Sequence, residues 1–459
     1  MRAIQLFVGG FAVAPPFLYV IFHSGISAHN FARAAELLLI LLIALILVAR
    51  RQKIFFCSLG GFKIGVTLFS VTLLAFSMGM ARLPLVALRE ISLWFGLLFL
   101  IYALCQSVRE KGSRLLLMCL AVGVFAYNFA YFVLVGLSLS GGCPIQLWEL
   151  VFGFDNPRFL NHCQTVALPV VSIALIQRGW PRTMRLIALG ACVGIVVLAA
   201  LTVARATGVA WVIALFLGVL VVPRAGRLPL IVIFLIVIFG IGLAAALKFS
   251  LPELGYIQGY EANAKELSSS HSRGYLWGIA WDMVRGSPWL GVGPMHFADV
   301  PNAKGAHPHN MYLMLMAETG LPFAALAISA MVFGLWRMAL LLRRSTKVDV
   351  CQGSALWVAL VAMAVDAGFS GNGVMPLSQL WGAIALAMVC AWWPREPSEA
   401  LGNGASLTLR VGLAAVMAGL VTISAWELTA PVPSIGRQVQ PGQPGEMRPR
   451  FWSHGWIGP

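Results

Sequence analysis

The run "LPLIVIFLIVIFGIGLAAALK" (Leu228–Lys248) carries a single charge, at its last residue. As a helix, about 20 apolar residues match the ~30 Å hydrocarbon layer and satisfy every backbone N–H and C=O internally. Runs of this kind recur along the chain, "ELLLILLIALILVA" (Glu36–Ala49) being another clear one. The 459 residues are 59% hydrophobic and only 11% charged, where soluble domains are about a quarter charged. An all-α polytopic membrane protein is therefore expected. About thirteen spans (twelve to fourteen) fall near 3–22, 33–49, 62–80, 88–107, 114–138, 163–178, 185–203, 206–222, 228–248, 321–342, 353–370, 376–393 and 407–427. The first is read as a retained span. A cleaved signal, suggested by "AVA" at Ala12–Ala14, is the alternative.

Orientation follows from basic loops, which favour the cytoplasmic side. With the N-terminus inside, the inside loops are "RRQK", "REKGSR", "RGWPRTMR", "PRAGR", "RRSTK" and "PREP". The net charge of +15 is then mostly an orientation signal. Nucleic-acid binding would need a basic folded soluble domain, and none is expected. The chain divides into a transmembrane part, 1–427, a large outer loop within it, 249–310, and a Pro- and Gly-rich outer tail, 428–459, expected to be loosely ordered.

The same topology puts all eight histidines outside: His23, His29, His162, His271, His296, His307, His309 and His454. Six of the eight cysteines lie in or beside spans and read as small buried hydrophobes. Cys143 and Cys163 bound one outer loop and are expected as two free thiols, a disulfide being the alternative. No zinc-ribbon spacing or phosphate-binding glycine motif occurs.

Charges inside a membrane are costly, and most here sit at outer ends. Arg205 lies at a turn between spans, Arg158 precedes one, and Arg82 and Arg89 flank another. Arg273 opens "SRGYLWGIAWDMV", an amphipathic segment with Trp277 and Trp281 one turn apart. Each arginine alone is explained by snorkelling or by lipid phosphate. Five on one side, beside histidines, suit a lipid-linked anion, since guanidinium forks match phosphate oxygens. In "GAHPHNMYLMLMAET", Asn310 is a good N-cap, which puts His309 near a positive helix end that keeps its ring neutral. A neutral imidazole accepts a proton. A merely solvated ring, or zinc on the His307-x-His309 pair, are the rival readings; the latter lacks a third ligand.

Four blocks carry a family likeness: "AHPHNMYLMLMAETGLPF", "SRGYLWGIAWDMVRGSPWLGVGPMHF", "LTVARATGVAW" and "FDNPRFLNHCQTVALP", with "SGNGVMPLSQLWG" also familiar. In these the chain resembles the O-antigen ligase and polymerase family of bacterial envelope glycosyltransferases. Ala204 and Ala206 flank Arg205 where that family often has Ser and Gly. The resemblance implies a GT-C-like scaffold in the inner membrane, N-terminus cytoplasmic and C-terminus periplasmic. It implies an undecaprenyl diphosphate-linked glycan donor, a lipid A-core or glycoprotein acceptor, and inverting transfer without metal or other cofactor. His309 matches the essential histidine, and Arg205 and Arg273 match positions associated with the lipid diphosphate. Arg158, Arg82 and Arg89 are further candidates from topology, and the matching blocks add His162, Asn310 and Glu318. Ligation to lipid A-core is the favoured reading. Protein O-glycosylation and repeat-unit polymerisation are alternatives, and transport through Asp366 and Asn128 is the rival from another class.

Overall fold

The computed structural model describes the chain apart from residues 23–25, 50–54, 58–60, 142–149, 251–270, 301, 303–304, 345–349, 395–397, 401–402, 430–449, 454–456 and 458–459. It is helical apart from a ribbon of two three-residue strands, β1 (Phe55–Cys57) and β2 (Ser398–Ala400), which pair antiparallel. The helices are α1 (Arg2–Val13), α2 (Pro15–Phe22), α3 (Ala28–Ala49), α4 (Gly61–Met80), α5 (Pro84–Lys111), α6 (Arg114–Ser140), α7 (Pro157–Ile176), α8 (Arg182–Leu201), α9 (Arg205–Val221), α10 (Leu228–Ser250), α11 (His271–Gly286), α12 (Met311–Arg344), α13 (Val350–Ala367), α14 (Pro376–Trp392) and α15 (Asn403–Thr429).

Each expected span coincides with one of these helices or with the pair α1–α2, which bends by 61° at Ala14 just before Pro15 and Pro16. Among the described residues, eight helices are long and apolar enough to cross a membrane, or nine if that bent pair is one span. Four shorter apolar stretches lie within α4, α9, α14 and α15. Large apolar side chains such as Phe216, Phe234 and Phe239 stand exposed on α9 and α10. Such surfaces suit lipid and would be a liability in water.

The centre of the bundle is α7, where every residue from Leu160 to Ala174 is buried. It packs on α8, α13 and α14, and α13 packs in turn on α9. Pro169 has no N–H to offer Thr165 four residues back. The freed Thr165 carbonyl accepts instead from Trp211 Nε1 of α9, at 3.1 Å. Asn161 Nδ2 donates to Thr202 Oγ1 at 2.9 Å, and the Thr165 and Thr207 hydroxyls meet at 2.9 Å. These bonds lock α7 onto the α8–α9 turn.

The basic loops meet at one end. Arg114 donates to the Gly179 carbonyl at 2.8 Å, Arg109 to Cys390 at 2.5 Å, Arg227 to Val219 at 3.0 Å and Arg343 to Leu220 at 3.2 Å. Several of these carbonyls belong to last helical turns, where guanidinium also complements the negative end of the dipole.

Most of the expected tail lies outside the described residues; within it, Arg450, Phe451 and Trp452 are buried. The Phe451 carbonyl accepts from His29 Nε2 at 3.1 Å and Arg33 Nε at 3.3 Å, and the Ser453 N–H donates to Asn30 Oδ1 at 2.7 Å. Much of the expected outer loop, residues 251–270, lies outside the described residues; α11 and the turns after it are ordered against α12. Cys163 is a free, buried thiol that donates to the Phe159 carbonyl, and Cys143 lies outside the described residues.

Candidate functional site

The stretch Asp155-Asn156-Pro157-Arg158 begins the site with two caps. Asp155 accepts from the Ala28 and His29 N–H groups at 3.0 and 2.7 Å, closing the start of α3. Asn156 accepts from the Arg158 N–H at 2.9 Å and caps α7. Proline at the first helical position costs no hydrogen bond there. Arg158 and His162 follow four residues apart, on one face of α7.

Arg205 stands exposed at the first position of α9. Val203, with φ of 55°, takes the left-handed conformation that makes the tight turn. That is how the turn forms where alanines flank the arginine. Arg273 is exposed on α11. Leu276, Ala280 and Val284, on the same side of that helix as Arg273, pack on Phe297 and Leu313. The two tryptophans of α11 differ: Trp281 is exposed, whereas Trp277 Nε1 turns in and donates to the Pro308 carbonyl at 3.0 Å. This bond holds the loop that carries His309.

In "HPHN", His307 is buried and His309 partly so. The His309 N–H donates to His307 Nδ1 at 3.2 Å, and the two rings lie 4.2 Å apart. His307 packs on Gly371, where a Cβ would come within 2.6 Å of the ring. Asn310 accepts from the Leu313 N–H at 3.0 Å and caps α12 as expected. His309 has φ of 52°, a left-handed conformation of the kind that costs about 1–3 kcal/mol and concentrates at functional sites.

The His309 ring is held neutral, its pKa lowered to about 3; lost hydration is the largest cause, then Arg273, His162 and Arg158. His307 is lowered too, by burial first and then by His309 and more distant cations. Arg158 in turn feels the charges of Arg273 and Arg205. Arg158, Arg205, Arg273, His162 and His309 therefore form one cluster drawn from α7, α9, α11 and the turn before α12. None of the three arginines pairs with a carboxylate among the described residues. Guanidinium groups gathered in this way attract anions.

Three further expected site residues have protein partners of their own. Arg82 Nε binds Asp299 Oδ2 at 2.7 Å. Arg89 lies 4.0 Å from the Phe451 ring centre, as a cation on an aromatic face. Glu318 is buried, and its carboxylate accepts from the Met295 and Phe297 N–H groups, each at 3.1 Å, and from Arg450 at 2.7 Å. The Glu-x-Gly block is thus a docking device. The Gly320 φ is 79°, and a Cβ there would lie 2.2 Å from the Trp289 carbonyl oxygen. The Leu290-Gly291-Val292-Gly293 strip runs along this kink, with the Gly293 N–H on the Glu318 carbonyl at 2.9 Å.

Sequence reasoning missed how Asp366 is used. It is fully buried at the end of α13, with Oδ2 3.5 Å from His162 Nδ1. An isolated acid in an apolar helix was the available signal. The Arg33–Glu36–Gln379 network, with Arg33 Nη1 at 2.5 and 2.6 Å from its partners, was also missed; it ties α3 to α14. Among the described residues no group of three or more His, Cys, Asp or Glu is placed to hold a metal ion. An apolar groove of about 430 Å³ opens between α9, α12 and α13, lined by Leu217, Val332, Trp336 and Val361 and reaching Tyr312, three residues from His309.

The fold defines an integral membrane protein, with arginines and histidines clustered at one end of its bundle. Residues 185–328 match the sequence model of a family described as O-Antigen ligase. Arg205, Arg273 and His309 fall within the matched stretch; Arg158, His162, Asp366 and Arg450 lie outside it. No curated protein matches the chain.

Proposed function

We propose that the chain transfers a glycan from undecaprenyl diphosphate to an acceptor hydroxyl at the periplasmic face of the bacterial inner membrane. The acceptor of choice is lipid A-core, as in O-antigen ligation. The observation that carries this reading is the neutral His309 set among three arginines that have no carboxylate partner among the described residues. The family match over residues 185–328 supports the ligase class. The groove that reaches Tyr312 supports an isoprenoid tail entering from the lipid side. The basic loops sharing one end support a cytoplasmic N-terminus with the cluster outside.

The chemistry follows from the charges. His309 takes the proton of the acceptor hydroxyl. The acceptor oxygen forms a bond to the anomeric carbon from the face opposite the diphosphate. The carbon–oxygen bond to the diphosphate breaks, and its electron pair leaves with the lipid diphosphate. Arg158, Arg205 and Arg273 stabilise the charge that develops there, an effect worth several kcal/mol when preorganised. With that charge met by guanidinium, no metal is needed. Inversion at the anomeric carbon is the expected outcome.

Transport is the weaker reading. Asn128, one of its two polar candidates, donates to the Ala191 carbonyl at 2.9 Å and serves to join α6 to α8. Deleting the gene and running lipopolysaccharide on a gel tests the proposal. Intact core without any long chains is expected. Core plus one repeat unit would make the chain a polymerase, and a pilin mass loss alone would make it a protein glycosyltransferase.

A further inference from the structure

Most acids near this end of the bundle are held by donors. Arg33 holds Glu36, Arg450 holds Glu318, Arg82 holds Asp299, and two backbone N–H groups hold Asp155. Asp366 differs. It is 0% exposed, and neither carboxylate oxygen has a hydrogen-bond partner among the described residues. A buried carboxylate left so costs several kcal/mol, and an ionisable residue inside a membrane protein marks function by default, its partner to be named. The partner is His162, whose Nδ1 lies 3.5 Å from Asp366 Oδ2. His162 is one helical turn from Arg158 on α7 and is close enough to act electrostatically on both His309 and His307. Its neighbour Cys163 is spent on the Phe159 carbonyl.

His309 is well placed to take a proton and poorly placed to keep it. Arg273 and Arg158 beside it both oppose an imidazolium. A histidine backed by a carboxylate is the better resting place, because the carboxylate fixes the tautomer and stabilises the cation. We propose that His162 and Asp366 form a proton-accepting dyad: Asp366 positions His162 with the Nδ1 proton toward the carboxylate, and Nε2 receives the proton that His309 takes from the acceptor hydroxyl. This rests on the transferase reading. The balance is complete: the acceptor loses a proton to His309, His309 returns to neutral by passing it to His162, and the diphosphate leaves with the electron pair of the broken bond. Asp366 is a positioning residue in this scheme, acting only through His162.

The test uses purified full-length protein, an undecaprenyl diphosphate-linked oligosaccharide and lipid A-core. D366N and H162Q should each lower kcat by on the order of 100-fold, with the donor KM within about twofold. The double variant should be no worse than the poorer single, since residues acting as one unit are not additive. D366N should melt close to wild type, because the isosteric amide keeps the packing and its oxygen still accepts a weaker bond from His162 Nδ1–H. D366N at wild-type turnover, or additive losses in the double variant, would overturn the dyad. So would a loss of turnover matched by a loss of melting temperature. Failure of the transferase reading has its own signature, namely H309A retaining turnover. The dyad also has a readout that needs no turnover. In histidine-labelled protein the His162 Nδ1 proton should resonate as strongly hydrogen-bonded, and that signal should be lost in D366N. Identical histidine spectra for the two proteins would contradict the pairing.

Discussion

Arg450 Nη2 lies 2.7 Å from Glu318 Oε2, across 132 residues of sequence, and both side chains are 1% exposed. The pair joins the end of the chain to the helix that follows His309. Removing one member strands the other. Arg450→Ala is expected to destabilise the protein by about 3–5 kcal/mol, the usual cost of breaking a buried pair from one side. Arg450→Met with Glu318→Gln should recover much of that loss. Thermal unfolding in detergent measures both, and equal melting temperatures for wild type and Arg450→Ala would refute the clasp.

The cations should separate by role. Arg205→Ala and Arg273→Ala are expected to abolish transfer or reduce it severely with insertion retained. Lysine at either position should rescue poorly, because a point charge cannot replace a bidentate fork. Arg82→Ala should cost little turnover, as that guanidinium is committed to Asp299. Initial rates with varied donor check this, and full activity in both alanine variants would remove the diphosphate site.

Acid should affect the site in a defined direction. His309 is lowered from 6.5 to about 3 in the fold, so the native state prefers the neutral ring. The unfolded ring binds its proton first as pH falls. Its contribution to stability is present above 6.5 and is lost between 6.5 and about 3. Neutral His309 also means that kcat/KM, which reports the free enzyme, should have its acidic limb well below 6.5. A limb at 6.5 that persists in H162Q would contradict the environment described for the ring.

Orientation is checked with reporter fusions. Fusions after Arg51, Lys111, Arg182, Arg224 and Arg344 should report cytoplasm, and a fusion at Ala264 periplasm. A cytoplasmic report from Ala264 would place the cluster on the wrong side of the membrane.

The sequence was most informative where the physics is local. The apolar runs marked the helices because length and composition alone decide what hydrocarbon accepts. Asn310 was legible as a cap because its bond reaches only three residues. The partners of Glu318 were not legible, since the groups it holds, Met295, Phe297 and Arg450, are distant in sequence. Arg450 itself follows a Pro- and Gly-rich stretch whose composition suggests no fixed place. The pairing of Asp366 with His162 spans 204 residues and leaves only a lone acid in an apolar run to notice. His307 and His309 looked alike in sequence, and the backbone tells them apart: one is wedged on Gly371, the other is held at positive φ.

The most direct measurement of the central claim is glycan transfer by purified wild-type, His307→Ala and His309→Ala protein, using an undecaprenyl diphosphate-linked oligosaccharide and lipid A-core, with and without chelator. Wild type should form product whether or not chelator is present. His309→Ala should lose about 10²–10⁴-fold in turnover, as expected for a missing general base, while still inserting. His307→Ala should lose about tenfold, the worth of one hydrogen bond to the His309 backbone. Near-normal turnover by His309→Ala, or activity abolished by chelator and restored by zinc, would contradict the account.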